Sequence, residues 1–254
     1  MASSGNHAVK QASQGTPGQL PLLPGRLRRL AVAIVAGCVA LTTLIGVLVN
    51  HRKRAGMVDK AVDHFVRGQI GMYRGVLNAI ARLGSPIPVI ILAAALVVAC
   101  LVTRRWYGAF MVAVGTAAAS AVSEYLLKPL VARHLGTGES FPSGHATGMF
   151  ALETSLVVLL LTAPHLRVPP RLRAVLAVAG LLVAIAVPVA MVGLHHHYFS
   201  DTVGGAAVGT GVTLLTALAL DAIARWRAGK APRNRPYTGT TTPGAGSEHA
   251  TVGA

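Results

Sequence analysis

The segment Pro142-Ser143-Gly144-His145 stands immediately before a long apolar run and combines residue types that suit phosphate chemistry. Ser143 suits the N-cap position of the following helix, whose first backbone N–H groups would then point at an incoming anion. Gly144 permits close approach of a phosphate, and His145 would project from the first turn into the same space as a general acid. The alternative is a capped helix start that carries a histidine at a membrane interface.

A second segment pairs His197 with Asp201, four residues later, at the start of another apolar run. This spacing lets the carboxylate accept a hydrogen bond from the imidazole Nδ1–H, which leaves Nε2 as a nucleophile. Asp201 could instead be only an N-cap together with Ser200. His195 and His196 precede His197, but adjacent side chains do not converge, and no His, Asp and Glu cluster with suitable ligand spacing accompanies them. Neither a metal nor another cofactor is predicted.

Cationic residues at the end of a third apolar run complete the predicted site. Lys128 is followed by Pro129, which prevents simple continuation of the helix, and Arg133 follows in the loop. Both cations are predicted to bind the phosphate together with Ser143 and Gly144, since a phosphate ester needs donors around its non-bridging oxygens. Glu124, four residues before Lys128 on the same helical face, can hold the lysine in position. The alternative is that both cations are long side chains reaching from a helix end to the membrane interface.

The composition indicates a polytopic membrane protein. The chain has 254 residues, of which 53% are hydrophobic and 12% charged, and its mean hydropathy is +0.58. An ordinary soluble domain is more polar. The formal net charge of +15 comes from basic residues clustered between the apolar runs, where they set the orientation in the membrane. A lipid bilayer is therefore the predicted partner, and a nucleic acid is not.

The apolar runs predict an all-α fold, a six-transmembrane helical bundle over residues 26–228. Each run is near the ~20 residues needed to cross the hydrocarbon core. The predicted spans are about 30–50, 86–103, 107–127, 146–163, 174–194 and 202–223. Residues 51–84 carry apolar side chains at helical spacing among basic ones, which predicts an amphipathic segment at the membrane interface. Residues 1–25 and 229–254 lack hydrophobic periodicity and are predicted to be disordered tails.

The charge distribution also predicts an orientation. With six spans both tails lie on one side, and most of the arginines of the tails and short loops collect there, so that this side is predicted to be the cytoplasm. Basic residues within 51–84 oppose this assignment. Lys128, Arg133, His145, His197 and Asp201 all fall at helix ends on the opposite side. The candidate site is therefore predicted on the extracytoplasmic face of a multi-pass cell-membrane protein.

Over about residues 30–225 the chain resembles the type 2 phosphatidic acid phosphatase superfamily of membrane lipid phosphatases. Pro142-Ser143-Gly144-His145 matches the middle sequence block of that family, and His197 with Asp201 matches the His-x-x-x-Asp of its third block. The resemblance implies a metal-independent phosphatase in which His197 forms a phosphohistidine, His145 protonates the leaving group and Asp201 orients the nucleophile. The implied substrates are polyprenyl pyrophosphate or phosphate, phosphatidic acid and phosphatidylglycerol phosphate.

Two positions depart from the family pattern. Where the family has an arginine seven residues after the lysine, this chain has Leu135, and Arg133 lies only five residues after Lys128. Met191 stands where the third block has its arginine, six residues before the nucleophile. These departures motivate an alternative: a catalytically degenerate member that binds a lipid phosphate or scaffolds an envelope complex.

Overall fold

The computed structural model describes residues 23–136, 138–162 and 168–230, and these are helical apart from one short hairpin and connecting loops. The helices are α1 (Gly25–Val49), α2 (Met57–Ile70), α3 (Arg74–Leu83), α4 (Pro86–Val102), α5 (Trp106–Ala121), α6 (Lys128–Val131), α7 (Gly144–Leu161), α8 (Pro170–Gly193) and α9 (Phe199–Lys230). A π-helical turn, Val122–Leu127, joins α5 to α6. Strands β1 (His134–Leu135) and β2 (Gly138–Glu139) pair antiparallel. The all-α prediction is confirmed. The predicted tails lie outside the described residues, except for 23–25 and 229–230.

Among the described residues, five helical segments are long and apolar enough to cross a membrane: α1, the continuous run from α5 to α6, α7, α8, and α9 as far as Arg227. A sixth span results if α3 and α4, which meet at a bend of 46°, are counted together. These segments establish a multi-pass membrane protein. The α1 helix begins at Gly25, before the predicted start of its span, because the arginines of its first turn are good helix formers.

The segment predicted to be amphipathic forms α2 and α3, which both pack on α8. Along α2, Val58 and Phe65 are exposed, whereas Asp59 and Asp63 are buried against the protein. The helix therefore presents apolar side chains outward and two carboxylates inward. Its position in the interfacial region of a membrane stays a prediction.

The helices α7 and α9 form the centre of the bundle, and α9 also packs on α1 and α5. Close approach between α7 and α9 depends on Gly205, because a Cβ at this position would collide with the carbonyl oxygen of Ser143. The Ser143 N–H also donates a hydrogen bond to the Asp201 carbonyl oxygen, at 2.9 Å. The beginnings of the two central helices are thereby joined at one end of the bundle.

The two ends of the described chain meet at the other end of the bundle. The backbone N–H of Leu23, just before α1, donates to the buried carboxylate of Asp221 near the end of α9, at 3.1 Å. Arg105, between α4 and α5, donates to the carbonyl oxygens of Leu159 and Thr162 at the end of α7. These contacts lie at the ends of the helices opposite to the start of α7.

Candidate active site

The candidate catalytic residues converge where α7 and α9 begin. The ring centroids of His145 and His197 are 6.5 Å apart, and the rings are tilted by 59°. His197 Nδ1 lies 3.8 Å from Asp201 Oδ2. A phosphorus atom between the two imidazoles would lie within reach of both, so the pair can serve as nucleophile and acid in one reaction.

The Asp201 carboxylate is held by hydrogen bonds to both of its oxygens, whereas His197 Nδ1 has none within the described residues. The Asp201 side chain is 0% exposed. Its Oδ1 accepts a hydrogen bond from Arg133 Nη1 at 2.5 Å, and its Oδ2 accepts one from the backbone N–H of Tyr198 at 3.0 Å. His197 Nδ1 is buried and has no hydrogen-bond partner within the described part of the chain. The 3.8 Å separation is too long for a hydrogen bond, but such bonds are often long in unliganded sites and shorten when the substrate binds.

The start of α7 presents unpaired backbone donors to the site. Ser143 is the N-cap: its Oγ accepts a hydrogen bond from the Ala146 N–H at 3.5 Å. The Ser143 side chain is fully buried, and its hydroxyl orders the helix start. Phosphate binding by Ser143 stays a prediction. Helix geometry leaves the N–H groups of Gly144 and His145 without intrahelical partners. These two groups can therefore bind an anion.

Lys128 and Glu124 form the predicted pair. Lys128 Nζ donates to Glu124 Oε2 at 2.6 Å, and both residues line the cavity that contains His145 and His197. The other Glu124 oxygen, Oε1, is 2.6 Å from the position that a Cβ would take on Gly144. The carboxylate thus lies between the lysine and the start of α7, in the region that a bound phosphate would occupy.

We expect the substitution Glu124→Gln to strengthen phosphate binding. Removing the negative charge frees Lys128 and ends the competition between the carboxylate and an anion for the start of α7. The inhibition constant for inorganic phosphate should fall by about 5-fold, since the pair that must be broken is partly exposed. Inhibition of the purified protein by phosphate measures this effect. A higher inhibition constant would instead show that Glu124 is needed to position Lys128.

Arg133 lies behind the candidate catalytic histidines and does not line the cavity. Its side chain is 0% exposed, and its guanidinium donates to Asp59 at 2.5 Å, to Asp201 at 2.5 Å and to Ser200 Oγ at 2.7 Å. The guanidinium carbon also lies 4.3 Å from the ring centroid of Tyr198. Direct phosphate binding by Arg133 stays a prediction; in the structure the guanidinium is occupied by two carboxylates.

Asp59 and Asp63 of α2 are two buried acids at the start of α9, outside the cavity lining, that the sequence interpretation missed. Asp59 accepts the Ser200 N–H at 2.9 Å, and Asp63 accepts the Phe199 N–H at 3.1 Å, so both cap the start of α9. Burial alone would raise the pKa of Asp59, but hydrogen bonds from Arg133 and Ser200 hold it below the ordinary value. Burial raises the pKa of Asp63 to about 6. A signal existed in the sequence, because both acids fall on the same helical face as Val62 and Val66.

The remaining histidines differ in position. His196 lines the cavity together with His145 and His197. His195 is exposed, has a left-handed backbone with φ of 63°, and its Nδ1 lies 2.5 Å from Arg67 Nη1. Partial burial, followed by the charges of Arg67 and His196, lowers the pKa of His195. Within 23–136, 138–162 and 168–230, no group of three His, Cys, Asp or Glu side chains is placed to hold a metal ion.

The structure also shows the surroundings of Leu135 and Met191, the two positions that depart from the family pattern. Leu135 lines the cavity, so an apolar side chain faces the site there. Met191 is buried in a cluster with Leu77, Ala81 and Leu194, where α3 packs on α8. A cation at position 191 would have to displace α3.

A cavity of about 840 Å³ extends from the histidines between α4 and α5. Its polar end contains Glu124, Lys128, Gly144, His145 and His197. Its walls further along are mainly apolar and are formed by Val89, Ile90, Ala93, Ala94, Val97, Ala113, Thr116 and Ala117. From Pro86 to Val97 the α4 wall rises by roughly 16 Å. The cavity can therefore hold a molecule with an anionic head and a long apolar chain.

Comparison with known proteins agrees with this arrangement. Residues 110–225 match the PAP2 superfamily. A similar solved structure is the first transmembrane PAP2 type phosphatidylglycerolphosphate phosphatase from Bacillus subtilis, at 18% sequence identity and a TM-score of 0.50. The similarity covers 81% of this chain and 98% of that one, and it shows a shared fold. No curated protein matches the chain. The matched residues include both candidate histidines and Asp201.

Proposed function

We propose that this protein is a membrane phosphatase that removes phosphate from a lipid phosphate or pyrophosphate through a phosphohistidine intermediate. One observation carries the proposal: a single cavity joins two facing histidines and an anion-binding helix start to an apolar slot between α4 and α5. The match of residues 110–225 to the PAP2 superfamily supports phosphatase activity.

In the first step, His197 Nε2 attacks the phosphorus atom, and the bond from phosphorus to the lipid oxygen breaks. His145, as imidazolium, gives its proton to that oxygen, so the lipid leaves as an alcohol or as a monophosphate. Asp201 holds the Nδ1–H side of His197 and balances the positive charge that forms on the ring. The Gly144 and His145 N–H groups and Lys128 bind the non-bridging oxygens.

In the second step, water attacks the phosphorus atom of the phosphohistidine. The phosphorus–nitrogen bond breaks and returns its electron pair to His197 Nε2. His145 is now neutral and accepts the proton of the water, which restores the starting state. Inorganic phosphate then leaves, and Lys128 can return to Glu124.

The apolar slot favours a substrate that keeps its chain at membrane depth. Polyprenyl phosphates and pyrophosphates, phosphatidic acid and phosphatidylglycerol phosphate all meet this requirement. The structural neighbour from Bacillus subtilis is a phosphatidylglycerolphosphate phosphatase, which favours phosphatidylglycerol phosphate among these substrates. The placement of basic residues supports cytoplasmic tails and a reaction on the extracytoplasmic face, because Arg26 and Arg225 lie at the end of the bundle opposite to the site.

Phosphate release by purified protein in detergent tests the proposal, with a panel of these lipid phosphates and with a chelator present. We expect wild-type protein to release phosphate and His145→Ala to be slower by about 10²- to 10⁴-fold, because the leaving oxygen loses its acid. Loss of activity on chelation would overturn the metal-independent mechanism. Absence of release from every lipid would favour the alternative of a degenerate, lipid-phosphate-binding member.

A further inference from the structure

Asp59, on α2, is connected to the reacting groups through one buried guanidinium. Arg133 Nη2 donates to Asp59 Oδ2, and Arg133 Nη1 donates to Asp201 Oδ1, each at 2.5 Å. Asp59 is 3% exposed, and Arg133 and Asp201 are 0% exposed. The arginine therefore bridges a carboxylate on an outer helix and the carboxylate next to His197.

We propose that Asp59 is a positioning residue for the reaction, which acts through Arg133 to hold Asp201 against His197. This inference rests on the proposed phosphatase function. Under this proposal, Arg133 positions Asp201 and does not bind the phosphate. Rapid catalysis then requires that α2 packs against the start of α9.

The charges of the three groups explain why a second carboxylate is needed. Arg133 with Asp201 alone would be a neutral pair, and Asp201 would offer little charge to a developing imidazolium on His197. With Asp59 present, two carboxylates surround one guanidinium, and one negative charge remains beside His197. In this buried setting a net charge acts strongly, because little water screens it.

The geometry gives Asp59 a second route to Asp201. Its Oδ1 accepts the Ser200 N–H in the first turn of α9, at 2.9 Å, and Ser200 Oγ in turn accepts from Arg133 at 2.7 Å. Asp59 thus fixes both the guanidinium and the backbone next to Asp201. Asp63, one turn further along α2, accepts only the Phe199 N–H among the hydrogen bonds resolved for its carboxylate. It provides a matched control on the same helix.

The test compares Asp59→Asn with Asp63→Asn in the purified full-length protein. Each amide keeps an oxygen that can accept the α9 backbone N–H, but only Asp59→Asn removes the charge opposite Arg133. We expect kcat to fall by about 10-fold or more in Asp59→Asn with KM unchanged, and to stay within about 2-fold in Asp63→Asn. A purely structural role of α2 would affect both variants alike.

A double-mutant cycle with Asp201→Asn identifies the route. If Asp59 acts through Asp201, then Asp59→Asn in the Asp201→Asn background should lower kcat by less than about 2-fold. Full additivity of the two effects, or wild-type kcat in Asp59→Asn, would overturn the proposal.

Should Asp59→Asn fail to fold, Asp59→Glu keeps the charge and displaces the carboxylate by one methylene. We then expect a several-fold loss of kcat, and an unchanged kcat would contradict the inference. Inactive wild-type protein would instead refute the proposed function itself.

Discussion

Replacing His197 by alanine should reduce phosphate release by at least about 10³-fold, because the substitution removes the proposed nucleophile and with it the covalent route. His145 cannot take over this role. The ring centroid of His145 lies 6.5 Å from that of His197, and the proposed role of His145 as acid would be lost if it attacked. The measurement is phosphate release in detergent micelles, with the lipid phosphate that wild-type protein hydrolyses fastest.

The control for this prediction is His195→Ala. His195 is two residues away, but it is exposed and contacts Arg67 instead of lining the cavity. Its substitution should leave the rate within about 3-fold of wild type. Rapid quenching with labelled substrate should trap a base-stable phosphoryl group on wild-type protein and none on His197→Ala. Equal rates for the two alanine variants would exclude His197 as the nucleophile.

Replacing Arg133 by leucine should destabilise the protein by about 3–5 kcal/mol, because two carboxylates would be left in a buried site without their counter-charge. The guanidinium is 0% exposed and contacts Asp59, Asp201 and Ser200 Oγ at 2.5–2.7 Å, so no water can replace it without opening the packing of α2 on α9. Arg133→Lys should lose part of this stability, since one ammonium cannot reproduce the fork that joins the two carboxylates. Thermal unfolding in detergent provides the measurement.

Arg54→Leu is the matched control, because Arg54 is exposed in the loop before α2. Its stability should stay within about 0.5 kcal/mol of wild type. Adding Asp59→Asn to Arg133→Leu should restore part of the lost stability, since one of the two uncompensated charges disappears. Strictly additive destabilisation in the double variant would show that the two residues do not share a charge interaction.

The parts of this site that depend on local spacing could be predicted from the sequence. Glu124 and Lys128 are four residues apart on a continuous helical run, so their pairing follows from helix geometry. Ser143 caps α7, as expected for a serine directly before an apolar helix, because its hydroxyl oxygen can accept a hydrogen bond from a backbone N–H of the first turn. The membrane-spanning helices could be predicted from the length of the apolar runs, because in a bilayer the backbone polar groups must hydrogen-bond to each other and a helix achieves this.

The partners of Arg133 could not be predicted in the same way. An arginine shortly after a membrane helix is typically interpreted as interfacial, and a phosphate was the expected anion for it. Its observed partners come from α2 and α9, which are distant in the sequence, and only the packing of α2 on the bundle brings them together. The two acids of α2 lie in a strongly basic segment for which only an amphipathic helix at the membrane interface was predicted, with no partner for either acid. Their burial is a tertiary effect.

The chain order of Asp59, Arg133 and Asp201 bears on how the protein is made. Asp59 and Arg133 leave the ribosome well before α9, the last helix that the structure describes, and can pair as a neutral couple in the unfinished bundle. His197 and Asp201 follow only at the start of α9, where Asp201 joins that couple and leaves one negative charge on the group. Under the proposed function, a chain that has been synthesised only as far as α8 would lack both residues and could not hydrolyse a lipid phosphate.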